Sequence, residues 1–278
     1  MNDLRSLKPV IVSELFPIVL EELIKLLSEL TKEDWDSATQ SGPWSVKDVC
    51  LHLLGGDISN LSWKRDGFSV FSEINSYAHL VQLVNEHNAR WVKSTQHFSP
   101  QLLISMLKFT GDHMTEYVRS LDPLALGVPV DWVGPNPAPN WLDLAREYTE
   151  RWHHQQHIRD AVGKPGLKEA RFLAPVLDTF ILALPRTFRK VVAKQDTAIH
   201  INTSGGVIRD WVMVNNSGQW ELYEGIAANP QASLSMPDDI AWRIFTNGIS
   251  LEEARKQAHF SGDAELAETV LETTSIIA

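Results

Sequence analysis

One cysteine, Cys50, stands in 278 residues. A single thiol excludes an intramolecular disulfide framework and a zinc site built from cysteine alone. Long apolar runs are also missing. The longest, such as Phe180 to Pro185, fall far short of the roughly 20 residues that span a bilayer. The opening MNDLRSLKPV mixes both charge signs and lacks the apolar centre of a signal peptide, so a cytoplasmic location is expected. Positive charge is scarce as well: 25 Lys plus Arg stand against 35 Asp plus Glu, a net charge of −10. Such a surface neutralises phosphates poorly, which argues against nucleic acid and anionic membrane as partners.

What is present is ten His, ten Trp and ten Phe, with 44% of residues hydrophobic. That composition excludes intrinsic disorder. The length suggests two domains on the usual scale of roughly 100–200 residues each. With so little cysteine, any metal site must be built from imidazole and carboxylate.

The first two thirds read as helices. Residues 9–30 place Val10, Leu15, Ile18, Val19, Leu23, Leu26, Leu27 and Leu30 at amphipathic spacing. Ser45 and Asp48 form a capping box ahead of a helix that carries Cys50 and His52 and is expected to stop at Gly55-Gly56. Residues 74–95 and a segment opened by Ser99-Pro100 read as further helices. Residues 123–140 hold five prolines and read as a loop. A long helix over 141–162 ends at Gly163. The expected fold is an N-terminal all-α four-helix bundle over 1–166 with one long crossover. A small α+β domain over 167–278 follows, with strand signals around Ile199–Ile201, Trp211–Val214 and Trp220–Tyr223, a turn at Asn216-Ser-Gly218, and helices from 238 onward.

The chemistry concentrates in Glu150-Arg-Trp-His153-His154-Gln-Gln-His157. Helical residues four apart share a face, with Cβ atoms about 5–6 Å apart. Glu150 with His154 is one such pair, and His153 with His157 is another. Either needs a third ligand, leaving a position open for water or substrate as in catalytic zinc sites. His52, two turns into its capped helix, is the best candidate. Helical phase sets Glu150/His154 beside the apolar edge and His153/His157 farther into the polar side. Cys50 lies on another face from His52 and reads as a small buried residue. The other His (79, 87, 97, 113, 200 and 259) lack spacing partners and read as solvated. Trp44, Trp91 and Trp152 are candidates for lining a pocket.

The segment Gly42-Pro-Trp-Ser-Val-Lys-Asp-Val-Cys-Leu-His52-Leu, together with Glu150 through Gly163-Lys-Pro165, resembles the mycothiol-dependent maleylpyruvate isomerase family, within the wider DinB/YfiT-like metal-binding bundles. Met236-Pro-Asp-Asp-Ile-Ala-Trp-Arg and Phe260-Ser-Gly-Asp263-Ala-Glu-Leu-Ala resemble the sterol-carrier-like domain that often follows the bundle. The isomerase resemblance implies a divalent metal, Zn²⁺ by preference, on His52, Glu150 and His154. The broader DinB pattern implies His153 and His157 instead. It further implies an enzyme that uses mycothiol or another low-molecular-weight thiol to isomerise, or transfer sulfur to, a small electrophile, and a monomer or homodimer. An assisting arginine of the second domain is also implied; Arg209, Arg243 and Arg255 are available. The rival functions are a DinB-like metal hydrolase and a non-catalytic protein that binds metal or an apolar ligand.

Overall fold

A computed structural model describes residues 4–68, 74–134 and 136–276. The chain divides into two compact units. One comprises Ile11–Gly127 and Pro139–Leu167; the other comprises the N-terminal segment ending at Val10, Val128–Ala138 and Lys168–Ile276.

The first unit is helical. Its elements are α1 (Phe16–Ser28), the single turn α2 (Lys32–Trp35), α3 (Val46–Asn60), α4 (Tyr77–Ser94), α5 (Pro100–Ser120) and α6 (Asn140–Ala161). Five of these exceed two turns, one more than the four principal helices expected. Sequence signals explain their ends. Pro17 occupies the first turn of α1, where its missing N–H costs nothing. Ser45 caps α3 through the anticipated capping box with Asp48. Ser99 accepts from the Leu102 N–H at the start of α5. At the end of α6, Gly163 adopts φ +64°, and the Lys164 N–H reaches the Arg159 carbonyl at 3.0 Å, a Schellman closure.

One expected stop is overturned. Gly55-Gly56 does not end α3, which runs to Asn60 and continues as a π-helical turn over Leu61–Arg65. Gly55 serves close approach instead. A Cβ there would sit 2.6 Å from the Trp91 ring, and the Trp91 Nε1 donates to the Leu51 carbonyl at 2.8 Å. Leu23, Leu27, Val49, Leu54, Leu103 and Ile158 pack in the common core. Because α6 is central, it is buried from Leu142 to Arg159 on nearly every face.

The second unit carries helical segments α7 (Ala170–Phe180) and α8 (Leu184–Thr187), then a six-stranded mixed sheet. Its strands are β1 (Arg5–Ser6), β2 (Ala198–Ser204), β3 (Arg209–Asn216), β4 (Gln219–Glu224), β5 (Ala232–Pro237) and β6 (His259–Gly262), in the order β1-β4-β3-β2-β5-β6. β2 and β5 pair in parallel; the other neighbours are antiparallel. The β3–β4 hairpin turns through Ser217 and Gly218, both at positive φ, as a two-residue hairpin loop requires. Helices α9 (Asp238–Phe245), α10 (Leu251–Gln257) and α11 (Ala264–Glu268) complete it. Residues 259–262 form an edge strand inside the stretch that reads from the sequence as helices from 238 onward, and β1 carried no sequence signal because two residues are too few to show alternation.

Candidate metal centre

Two helices meet at the imidazoles. α3 supplies His52 and α6 supplies Glu150 and His154. One ligand-type atom from each of these three residues lies within 4.8 Å of the other two. The His52 and His154 rings meet edge-on, with centroids 4.6 Å apart. His154 Nε2 is 3.6 Å from Glu150 Oε2. Trp44, from the turn just before the α3 cap, lies over His52 with centroids 4.9 Å apart and planes at 36°.

Burial sets the charge state. It pushes the His52 and His154 pKa values down, by penalising the imidazolium, and that penalty outweighs the nearby Glu150 charge. Burial alone would raise the Glu150 carboxyl. The polar contact with His154 and the charge of the Arg146 guanidinium hold it well below the usual range. The site therefore presents lone pairs on two neutral imidazoles beside an ionised carboxylate, the protonation state a cation demands.

The donor set fits a divalent metal on a second count. His52 Nδ1 and His154 Nδ1 are buried and have no hydrogen-bond partner. Each such orphan costs about 1–3 kcal/mol unless something satisfies it. Two imidazoles with one carboxylate are also the ligand set of a class of catalytic zinc sites that leave a fourth position open. The Glu150 side chain retains 27% exposure, so the site has a side facing solvent.

His153 and His157 do not lie toward solvent, contrary to the helical-phase expectation. Both are as buried as His154, because α6 is enclosed all round rather than amphipathic. With His154 they form a second group of three whose ligand atoms lie within 4.8 Å of one another.

The pocket-lining candidates separate. Trp44 borders the site, Trp91 packs on Gly55, and Trp152 is fully buried with its Nε1 donating to the Leu167 carbonyl at 2.8 Å. An apolar cavity lined by Phe16, Leu23, Leu53 and Leu107 touches Asp57 and Arg151 but no imidazole. Cys50 is buried as expected, which pushes its thiol pKa up and leaves it unreactive. His200 is not merely solvated, since its Nε2 lies 2.8 Å from Asp210 Oδ1. Arg209 pairs with Asp178, Arg243 with Asp239, and Arg255 with Glu268.

A buried ion network beside the site escaped sequence reasoning. Lys64 Nζ donates to Asp143 at 2.6 Å and to Glu147 at 3.2 Å. Arg146 pairs with Asp143 and Glu147, and Arg151 pairs with Glu147 and Asp57. Thr110 donates to the same Asp57 at 2.9 Å. Three cations thus meet three carboxylates, and α3 with its π-helical extension is tied to α6 at Asp57 and Lys64. The Glu147/Arg151 spacing of four was visible in the sequence. The partners on α3 were not, because one of them is presented by the π turn.

A family model described as the mycothiol maleylpyruvate isomerase N-terminal domain matches residues 16–159, just over half the chain. The chain belongs to that family. Among solved structures, a mutant of the mycothiol-dependent maleylpyruvate isomerase is similar with a TM-score of 0.52 at 11% identity, covering 90% of this chain and 91% of its own. At that identity the likeness speaks for the fold. A second structure of the mycothiol-dependent maleylpyruvate isomerase covers 84% of this chain and 86% of its own, with 12% identity and a TM-score of 0.49. Sterol carrier protein 2 like 2 from Aedes aegypti covers 36% of this chain and 97% of its own at 17% identity, with a TM-score of 0.30. No curated protein matches significantly. No helix among the described residues is long and apolar enough to cross a membrane.

Proposed function

We propose that this family member is a metal-dependent enzyme that uses mycothiol, or a closely related low-molecular-weight thiol, to isomerise or transfer sulfur to a small electrophile. His52, Glu150 and His154 are the proposed ligands. The observation that carries the reading is the convergence of these three side chains from α3 and α6, two neutral imidazoles beside one carboxylate. Membership of the isomerase family supports the thiol and the reaction class.

A divalent ion held there, Zn²⁺ by its fit to such donors, lowers the pKa of a bound thiol or water and so makes a nucleophile available near neutral pH. The remaining work falls to the chain. His52 and His154 stay neutral because burial disfavours their protonated forms, which keeps their lone pairs available. Glu150 brings one negative charge, so a doubly charged cation is only partly neutralised and keeps its polarising power. Trp44 covers one face of His52 and restricts its ring. The partly exposed Glu150 edge is the side from which a small molecule would reach the ion. The buried Cys50 supplies no nucleophile, which suits a thiol brought by a cosubstrate.

The test is turnover of maleylpyruvate and of model electrophiles by metal-loaded protein, with mycothiol and metal withheld in turn. Loss of turnover on omitting either supports the reading, as does its loss in His52→Ala. Turnover of a small ester or amide without thiol would favour the metal hydrolase instead.

A further inference from the structure

α6 carries more imidazole than one metal position needs. His153, His154 and His157 each offer a ring nitrogen within 4.8 Å of the others, and their residue exposures are only 3%, 6% and 4%. Ring centroids are 4.1 Å apart for His153–His154, 5.3 Å for His153–His157 and 5.4 Å for His154–His157. One ring is already oriented. His153 Nδ1 lies 2.7 Å from the Thr149 carbonyl oxygen and donates its proton there, which leaves the lone pair on Nε2. Metal-ligating histidines are typically fixed in this way, by a backbone carbonyl that settles the tautomer and the ring angle. His154, the third member of this group, is also the residue whose Nε2 lies 3.6 Å from Glu150 Oε2.

We propose that His153, His154 and His157 form a second divalent-metal position that shares His154 with the first. Its three donors are all nitrogen, a set that suits Cu²⁺, Ni²⁺ and Zn²⁺ and offers nothing to oxygen-seeking Mg²⁺ or Ca²⁺. The first position includes a carboxylate and faces solvent at Glu150; the second has neither. Because His154 serves both, the two positions compete for one ion. The sharing rests on the metal reading proposed above, but the second position does not require it.

Cu²⁺ binding to the full chain, followed by electron paramagnetic resonance, separates the two. The His52→Ala/Glu150→Gln double variant removes two ligands of the first position and none of the second. It is expected to keep binding Cu²⁺ with a nitrogen-only signature, which disappears when His157→Ala is added. If wild type binds Cu²⁺ and the folded double variant does not, the second position is refuted while the first stands. A signature in the double variant that His157→Ala leaves unchanged also refutes it. If neither protein binds, both positions fail. Should the double variant not fold, His157→Ala alone decides: at saturating Cu²⁺ the two wild-type coordination species are expected to collapse to one that contains oxygen, and an unchanged spectrum overturns the proposal.

Discussion

His52 and His154 present their rings edge-on, 4.6 Å apart at 69°, and each keeps a buried Nδ1 without a hydrogen-bond partner. They come from separate helices, α3 and α6, so the meeting is a product of tertiary packing. Leaving two polar atoms unsatisfied costs about 1–3 kcal/mol each. Such a pair beside an ionised carboxylate suits a cation, and the following expectations depend on the proposed metal site.

Trp44 is expected to act on the metal through His52. Its ring lies 4.9 Å from the His52 ring. Trp44→Ala frees that imidazole and is expected to weaken metal binding by up to about 10-fold, the lower end of the loss seen when a hydrogen-bonded orienting group is removed. Trp44→Phe keeps a flat cover and should stay near wild type. Competition titration with a chromophoric chelator reads both. Equal affinity in wild type and Trp44→Ala would remove Trp44 from the site.

The metal-free chain should lose stability on mild acidification. Burial lowers the pKa values of His52, His153 and His154 below 6.5. As pH falls through about 6.5, the unfolded chain takes up protons that the folded chain refuses. Unfolding free energy therefore drops, by up to about 1.4 kcal/mol per pH unit for each such histidine, while at higher pH the three contribute no slope. Urea denaturation in chelator between about pH 7 and pH 5 measures this, and His154→Gln should flatten the profile. A midpoint independent of pH across that interval would contradict the burial of neutral imidazoles.

Gly55→Ala is expected to destabilise, although alanine is the better helix former by about 1 kcal/mol. The new methyl would lie 2.6 Å from the Trp91 ring, and that ring is fixed by its bond to the Leu51 carbonyl. Overpacking of this kind costs about 1–3 kcal/mol. Chemical denaturation gives the sign directly. Stabilisation would mean that Trp91 moves freely.

Breaking the ion network from one side should be more damaging than removing a pair. Arg151→Met strands Asp57 among buried groups, and loss of one partner of a buried pair costs about 3–5 kcal/mol. Adding Asp57→Asn, which keeps the Thr110 partner but deletes the stranded charge, should recover part of that loss. A double-mutant cycle by urea denaturation checks it, and strict additivity would show that the two groups are not coupled.

Local rules accounted for much of this molecule. The Ser45–Asp48 box, the Pro100 start, the Gly163 stop and the Ser217-Gly218 hairpin are all settled by neighbours within a few residues. Glu150, His153, His154 and His157 could be grouped for the same reason, since i,i+4 spacing survives any packing, whereas His52 lies on α3 and has no such spacing to the others. What failed depended on distant partners. Gly55 reads as a stop until Trp91 is seen against it. Helical phase misjudged His153 and His157 because a helix enclosed on all sides has no solvent face for the pattern to report. The Lys64 contacts with Asp143 and Glu147 needed a π turn that nothing in residues 61–65 announces.

The most direct measurement is the absorption spectrum of the Co²⁺-loaded chain during titration with mycothiol. A saturable thiolate-to-cobalt charge-transfer band is expected in wild type and is expected to be missing in His52→Ala and His154→Ala. A wild-type chain that takes up no Co²⁺, or a cobalt spectrum that the thiol leaves unchanged, would contradict a metal–thiol centre at these residues.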